Sequence, residues 1–278
     1  MDYKIVVGSS CDLTKEQQAE INHATVPFTI QIDGEDLIDD ETLPLDTLIS
    51  KMKKSVGAIR TACPSPQHFL EKYKEGEHIF VVTISSRLSG TYNSAMTAKD
   101  MYLEQFENKF IHVFDSLSAA IAETLIVIRV KKYIDHNLSL KEIVENTEAY
   151  IKEMKTMFVL ENLDNLIKNG RMSKLTGMFA QFLHIKPILA ADGLGEIKLV
   201  EKSRGTKKAL KKMVELIGSE GSDFSDRIFG VVHCNALEKA HYVKDMVMEK
   251  YNFQDVIVTE AQGLSAVYMD DGGIVVAF

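Results

Sequence analysis

Cysteine is scarce and unpatterned. The 278-residue chain has three, Cys11, Cys63 and Cys234, with no CxxC spacing, which argues against structural zinc and against a disulfide framework. Long apolar runs are absent too. Leu125 to Ile128 is typical of the strictly apolar stretches, far below the ~20 residues that span a bilayer, so no stable membrane insertion is expected. Positive charge is in deficit, with 40 Asp and Glu against 32 Lys and Arg, a formal charge of −8. Nucleic acid and anionic membrane surfaces need clustered cations and are not expected as main partners. The basic concentration from Lys202 to Lys212 alternates with apolar positions, as a solvated helix face does. No charged segment with an apolar h-region precedes the first strand, so a cytoplasmic location is expected. GxxxxGK[ST], GxGxxG, HExxH, HxxxH and GxSxG do not occur. No metal, nucleotide cofactor or hydrolase elbow is therefore expected.

What is present is an ordinary globular composition, 45% hydrophobic and 26% charged, long enough for one large domain or two. The first half alternates strand and helix. Lys4–Gly8, Ala24–Ile32, His78–Ile84 and Lys109–Phe114 read as strands. Asp12–Ile21, Leu45–Lys54, Pro66–Tyr73, Thr91–Phe106 and Ala119–Ile134 read as helices, the last apolar nearly all round and hence buried. Thr14 and Ser139 each precede a capping-box pattern. This order predicts a parallel sheet with helices on both faces, a three-layer N-terminal domain over residues 1–154. From Lys155 the texture changes. A strand, two short helices (163–168 and 175–183), a hairpin about Asp192-Gly193, and further helices and strands predict a C-terminal two-layer α/β domain with a mixed sheet over residues 155–278.

Four strand-to-helix junctions in the first half are rich in hydroxyls: Ser9–Asp12, Thr61–Ser65, Ser85–Thr91 and Asp115–Ser118. In a parallel sheet such junctions share one edge, where ligands bind. Each alone reads as a helix cap; together they predict an anion-binding crevice. Its donors are mostly neutral, and Arg87 is the single cation of the Ser-rich turn. A carboxylate held by hydroxyls and backbone N–H groups fits this chemistry better than a phosphate. Further on, Leu175, Met178, Phe179, Phe182 and Leu183 form an apolar stripe at helical spacing. It suits either an apolar tail or ordinary core packing. An enzyme acting on a small carboxylate or phosphorylated metabolite in the same crevice is the alternative reading.

The segments Thr61-Ala62-Cys63-Pro64-Ser65-Pro66 and Ile84–Ala95, with Ser9–Leu13, Asp115-Ser116, Leu163–Ser173, Lys186–Leu189 and Lys202–Gly205, resemble the DegV family of bacterial fatty-acid-binding proteins. The resemblance covers essentially the whole chain. It implies a two-domain α/β carrier, without catalysis of its own, that buries a long-chain fatty acid between its domains and presents it to a separate fatty-acid kinase. It also implies carboxylate contacts from Thr61, Ser89 and Gly90, with Arg171 and Arg204 near the mouth for the kinase or its phosphate. Where the family carries a C-terminal histidine, counting back from Phe278 places Tyr268, a phenol able to donate the same hydrogen bond. Asp270 and Asp271 follow, and would disfavour an anion if they faced it. Gly8 stands where the family usually has aspartate, and Ala62-Cys63 where a polar pair is common.

Overall fold

The computed structural model describes residues 2–106, 109–175 and 185–278. Three sheets organise it. The first is parallel, built from β1 (Tyr3–Gly8), β2 (His23–Val26), β6 (His78–Thr83) and β7 (Phe110–Asp115) in the order β2-β1-β6-β7. Its apolar side chains alternate between faces, as a strand requires. Val6, Val26, Ile79 and Val81 meet α3 (Pro66–Tyr73) and α4 (Thr91–Leu103), while Ile5, Val7, Phe80 and Val82 meet α5 (Ile121–Asp135). Helix α6 (Leu140–Glu153) packs on α5. The capping boxes form as expected, at Thr14 before α1 (Lys15–Glu20) and at Ser139 before α6.

The run read as one strand from Ala24 to Ile32 is two. β2 ends at Val26, and β3 (Thr29–Ile32) leaves for a small antiparallel sheet, β4-β3-β5, with β4 (Glu35–Ile38) and β5 (Arg60–Ala62). Pro27 lies at the break; without an N–H it cannot continue the ladder. Helix α2 (Leu45–Lys54) lies between β4 and β5 in the chain.

The third sheet is mixed, in the order β10-β9-β8-β13-β11-β12. Its strands are β8 (Thr156–Val159), β9 (Ile185–Ala191), β10 (Ile197–Arg204), β11 (Ile228–His233), β12 (Asp255–Glu260) and β13 (Ile274–Ala277). β9 and β10 form the expected antiparallel hairpin, and β11–β12 is a parallel pair. The outer face is covered by α8 (Thr206–Ile217) and α9 (Leu237–Lys250). Short α7 (Asp164–Lys168) leads to a 3-10 turn at Ser173–Leu175. Sequence periodicity gave no helix at Gly263–Met269, where the structure has α10.

The inner face of the mixed sheet rests on α5. Ile121, Leu125, Leu189, Val232, Val275 and Ala277 share one core. With a sheet on each side, the first two turns of α5 have no solvent face, Ile121–Val127 all being buried, which explains their largely apolar sequence; exposed charge appears only toward the C-terminal end, at Lys132 and Asp135. Gly230 on β11 marks the closest approach: a Cβ there would lie 2.4 Å from Ile121 Cγ1. Gly230→Ala is expected to force the two layers apart and destabilise the fold by about 1–3 kcal/mol, as overpacking does. A urea denaturation midpoint equal to the parent's would show that α5 is not held this tightly.

Candidate functional site

At the C-terminal edge of the parallel sheet, where it faces the mixed sheet, a cavity encloses about 860 Å³, solvent at its mouth included. Most of its wall is apolar: Phe28, Ile84, Leu88, Phe158, Leu160 and Leu264 are representative. Its inner hydroxyls satisfy one another or neighbouring groups. Ser118 Oγ and Thr156 Oγ1 are 2.7 Å apart, and Ser10 Oγ donates to the buried Glu123 carboxyl at 3.0 Å. Ser85 Oγ donates to the Gly195 carbonyl at 2.9 Å, tying the Ser-rich turn to the β9–β10 hairpin. Each of these hydroxyls has a partner within the protein, so none is left as an unsatisfied buried group.

A different group of polar side chains gathers around Tyr268. Its phenol lies 2.7 Å from Thr61 Oγ1, joining α10 to β5 across more than 200 residues of chain. The Arg171 guanidinium stands over the Tyr268 ring, Cζ 5.6 Å from the centroid. It is held there by Nε donating to the Leu88 carbonyl at 3.1 Å and Nη1 to the Asn169 carbonyl at 2.8 Å. Among the described residues no carboxylate pairs with Arg171. Ser89 also lines the cavity; its Oγ meets Thr91 Oγ1 at 2.8 Å and accepts from Thr91 N at 3.3 Å. A hydroxyl pair, a serine and a cation beside an apolar cavity suit an amphipathic anion.

The other expected site residues are placed as follows. Gly90 is exposed at the start of α4, beside Cys63, and is not among the lining residues. Arg204 is the last residue of β10, exposed and also outside the lining. Leu175 is half-buried against the core. Met178, Phe179, Phe182 and Leu183 lie outside the described residues. The two acids after Tyr268 have other partners. Asp270 accepts from Asn162 Nδ2 at 3.0 Å, while Asp271 pairs with Lys53 and accepts from Asn235 Nδ2 at 2.9 Å.

Helix α10 enters through a grip that no local pattern announces. Its first amides are taken by buried acids from the other end of the chain. Gln262 N donates to Asp12 Oδ1 and Leu264 N to Asp39 Oδ2, both at 2.8 Å, and Ser265 Oγ donates to Asp12 Oδ2 at 2.8 Å. Gly263 permits this approach, since a Cβ there would fall 1.7 Å from Asp39 Oδ1. Burial raises the carboxyl of Asp12 to about 8 and that of Asp39 to about 6, and it also pushes Glu123 upward. Hydrogen bonds oppose but do not cancel this desolvation: from α10 for Asp12, and from Ser9 first and then Leu264 of α10 for Asp39.

This chain belongs to the DegV family: the family model, described as "Uncharacterised protein, DegV family", matches residues 2–278. A DegV domain-containing protein of Streptococcus pyogenes serotype M3 is 35% identical over 280 residues, covering 100% of this chain and 99% of its own. A DegV-family protein of Ruminococcus gnavus, solved with vaccenic acid, is 40% identical with a TM-score of 0.96, 99% of each chain being covered. The Streptococcus pneumoniae fatty acid kinase B3 protein, solved loaded with linoleic acid, is 33% identical with a TM-score of 0.92. The match covers 100% of this chain and 99% of that one. The expected architecture, a parallel N-terminal sheet and a mixed C-terminal sheet, is that of these structures.

The buried acids carry a signed prediction. A carboxyl whose folded pKa is raised binds a proton on folding, so stability falls as pH rises from its unfolded value toward its folded one. For Asp12 that window runs from about 4 to about 8. Thermal melts between pH 5 and 8 are therefore expected to show a steeper fall for the parent than for Asp12→Asn. The difference in slope is bounded by about 1.4 kcal/mol per pH unit for one proton. Glu161 lies outside this window: burial disfavours its charge, but hydrogen bonds from Lys186, Lys239 and Thr206 prevail and hold it at about 2. Identical slopes for parent and variant would mean that Asp12 is ionised throughout.

Proposed function

We propose that this protein is a carrier that binds one long-chain fatty acid and presents its carboxylate to a separate fatty-acid kinase. The observation that carries the reading is the cavity itself, apolar along most of its wall and polar where Thr61, Tyr268, Ser89 and Arg171 meet. Neighbours with similar folds were solved with vaccenic and linoleic acids, and one of them is a fatty acid kinase B protein, which supports both halves of the proposal. The acyl chain lies between the parallel sheet and the mixed sheet, the interface of domains 1–154 and 155–278. Leu175, half-buried against the core, contributes to closing over it.

Physical terms favour this ligand. About 14 methylenes at ~0.8 kcal/mol each give roughly 11 kcal/mol of gross apolar transfer, reduced by the entropy of fixing the chain and of association. A carboxylate moved out of water needs charge-assisted partners. The Thr61 and Tyr268 hydroxyls, Ser89 Oγ and Arg171 supply them, with Gly90 flanking Ser89. Arg204, exposed at the end of the edge strand, serves the kinase rather than the ligand. The carrier holds the carboxylate and excludes water from the tail; the phosphoryl group is supplied by the partner. No cofactor is required.

Protein purified from a bacterial host is expected to carry one fatty acid per chain by native mass spectrometry. Only ligand-free protein, even after incubation with C14 to C18 acids, would overturn the proposal. Tyr268→Phe is expected to weaken binding by about 1–2 kcal/mol through one lost hydrogen bond. Tyr268→His should restore it and add a dependence on pH near 6.5, where imidazole titrates. Arg171→Ala should reduce acyl phosphate formation by a cognate kinase; a normal rate with this variant would remove Arg171 from the site.

A further inference from the structure

Two ends of α10 are held by one small sheet. Asp39 directly follows β4, and its own N–H donates to the Phe28 carbonyl just before β3 at 2.9 Å. Thr61 sits in β5, opposite Ile30 of β3. The sheet β4-β3-β5 therefore offers a carboxylate to the first turn of α10, at Leu264 N, and a hydroxyl to the last turn, at the Tyr268 phenol. Leu264 and Tyr268 are four residues apart, so they share a helix face, and both line the cavity with Phe28 and Ile84. Asp12, in the loop between β1 and α1, holds the same turn through Gln262 N and Ser265 Oγ.

We propose that Asp12 and Asp39 are positioning residues for the ligand site: by gripping the first turn of α10 they fix the rotation and height at which Tyr268 meets Thr61. The inference rests on the fatty-acid reading and adds to it two residues that never touch the ligand. A rigid seven-residue helix transmits the constraint; five residues of rise separate Gly263 from Tyr268, about 7–8 Å. Rotation of α10 about its own axis is blocked because the two acids take adjacent parts of its first turn. Translation toward the sheet is blocked at Gly263, which already touches Asp39. A phenol aimed in this way meets a carboxylate without the cost of ordering a free side chain.

The test is a double-mutant cycle read as vaccenate affinity at pH 7, with melting temperature recorded for every variant. Asp39→Asn removes the charge at the first turn while keeping the volume, and is expected to weaken binding about fivefold. Tyr268→Phe is expected to weaken it about tenfold. If Asp39 acts through Tyr268, the double variant stays near tenfold, because the phenol whose aim was lost is already gone. A general loss of stability would instead multiply, giving about fiftyfold. Should Asp39→Asn fail to fold, Asp12→Ala is carried through the same cycle, since it drops the bonds to Gln262 and Ser265. Multiplicative effects, or unchanged affinity in the single acid variant, overturn the positioning role while leaving the fatty-acid reading in place. Failure of the parent to bind vaccenate overturns that reading, and the proposal with it.

Discussion

Contact of α5 with two sheets at once is the constraint on which the rest depends. One side of the helix packs under the parallel sheet, the other under the mixed sheet, and Gly230 gives up its side chain so that Ile121 can fit. The two sheets share a layer, so they cannot slide apart without exposing the same buried residues. Just before α5, the chain turns through Ser118, Ala119 and Ala120 along the cavity wall. Ala120 has φ of 58°, an uncommon conformation for a residue with a Cβ. The buried Glu123 holds that turn, accepting from Ala120 N at 3.2 Å and from Ser10 Oγ at 3.0 Å. Packing of the helix and shape of the cavity are one problem, solved by the same residues.

Polarity inside the cavity follows from where hydroxyls stand beside a cation, as Thr61 and Tyr268 do beside Arg171. Away from that cation, the lining residues Ser10, Ser118 and Thr156 have protein partners. A hydroxyl so engaged presents mainly its methylene or methyl to the interior, which suits an alkyl chain. Charge is handled in the same manner. The acids after Tyr268 are drawn to Lys53, Asn162 and Asn235, while Arg171 is held by carbonyls and has no counter-ion among the described residues. Neutral and cationic donors remain near the phenol, and Glu196 is the one acid among the described residues that line the cavity.

Much of the element order was legible because periodicity is a local property. The capping boxes at Thr14 and Ser139 and the β9–β10 hairpin lie where spacing placed them. The misread strand at residues 24–32 carried its own correction in Pro27, whose missing N–H outweighs the apolar run on both sides. Helix α10 escaped for a different reason. Its sequence, Gly263-Leu-Ser-Ala-Val-Tyr-Met269, begins with a poor helix former and has no local cap. Its caps are Asp12 and Asp39, more than 220 residues distant in the chain.

By itself, then, the sequence determined the parallel sheet of the first half, the mixed sheet of the second, and three hydroxyl-rich junctions at one edge of the parallel sheet; the fourth, Thr61–Ser65, follows β5 of the small antiparallel sheet instead. Those features depend on neighbours a few residues apart, so side-chain spacing encodes them directly. Tertiary structure alone decided that α5 is shared between sheets, that Asp270 and Asp271 turn outward, and that Tyr268 and Thr61 share a hydrogen bond. It also decided which hydroxyls are engaged and which line the cavity near Arg171. Each of these is a pairing between distant segments, set by which partner arrives at the right distance once the core has closed. A carboxyl such as Asp39 reads as solvated in a string of letters; only the packed neighbours around it withdraw the water and give it a helix to hold.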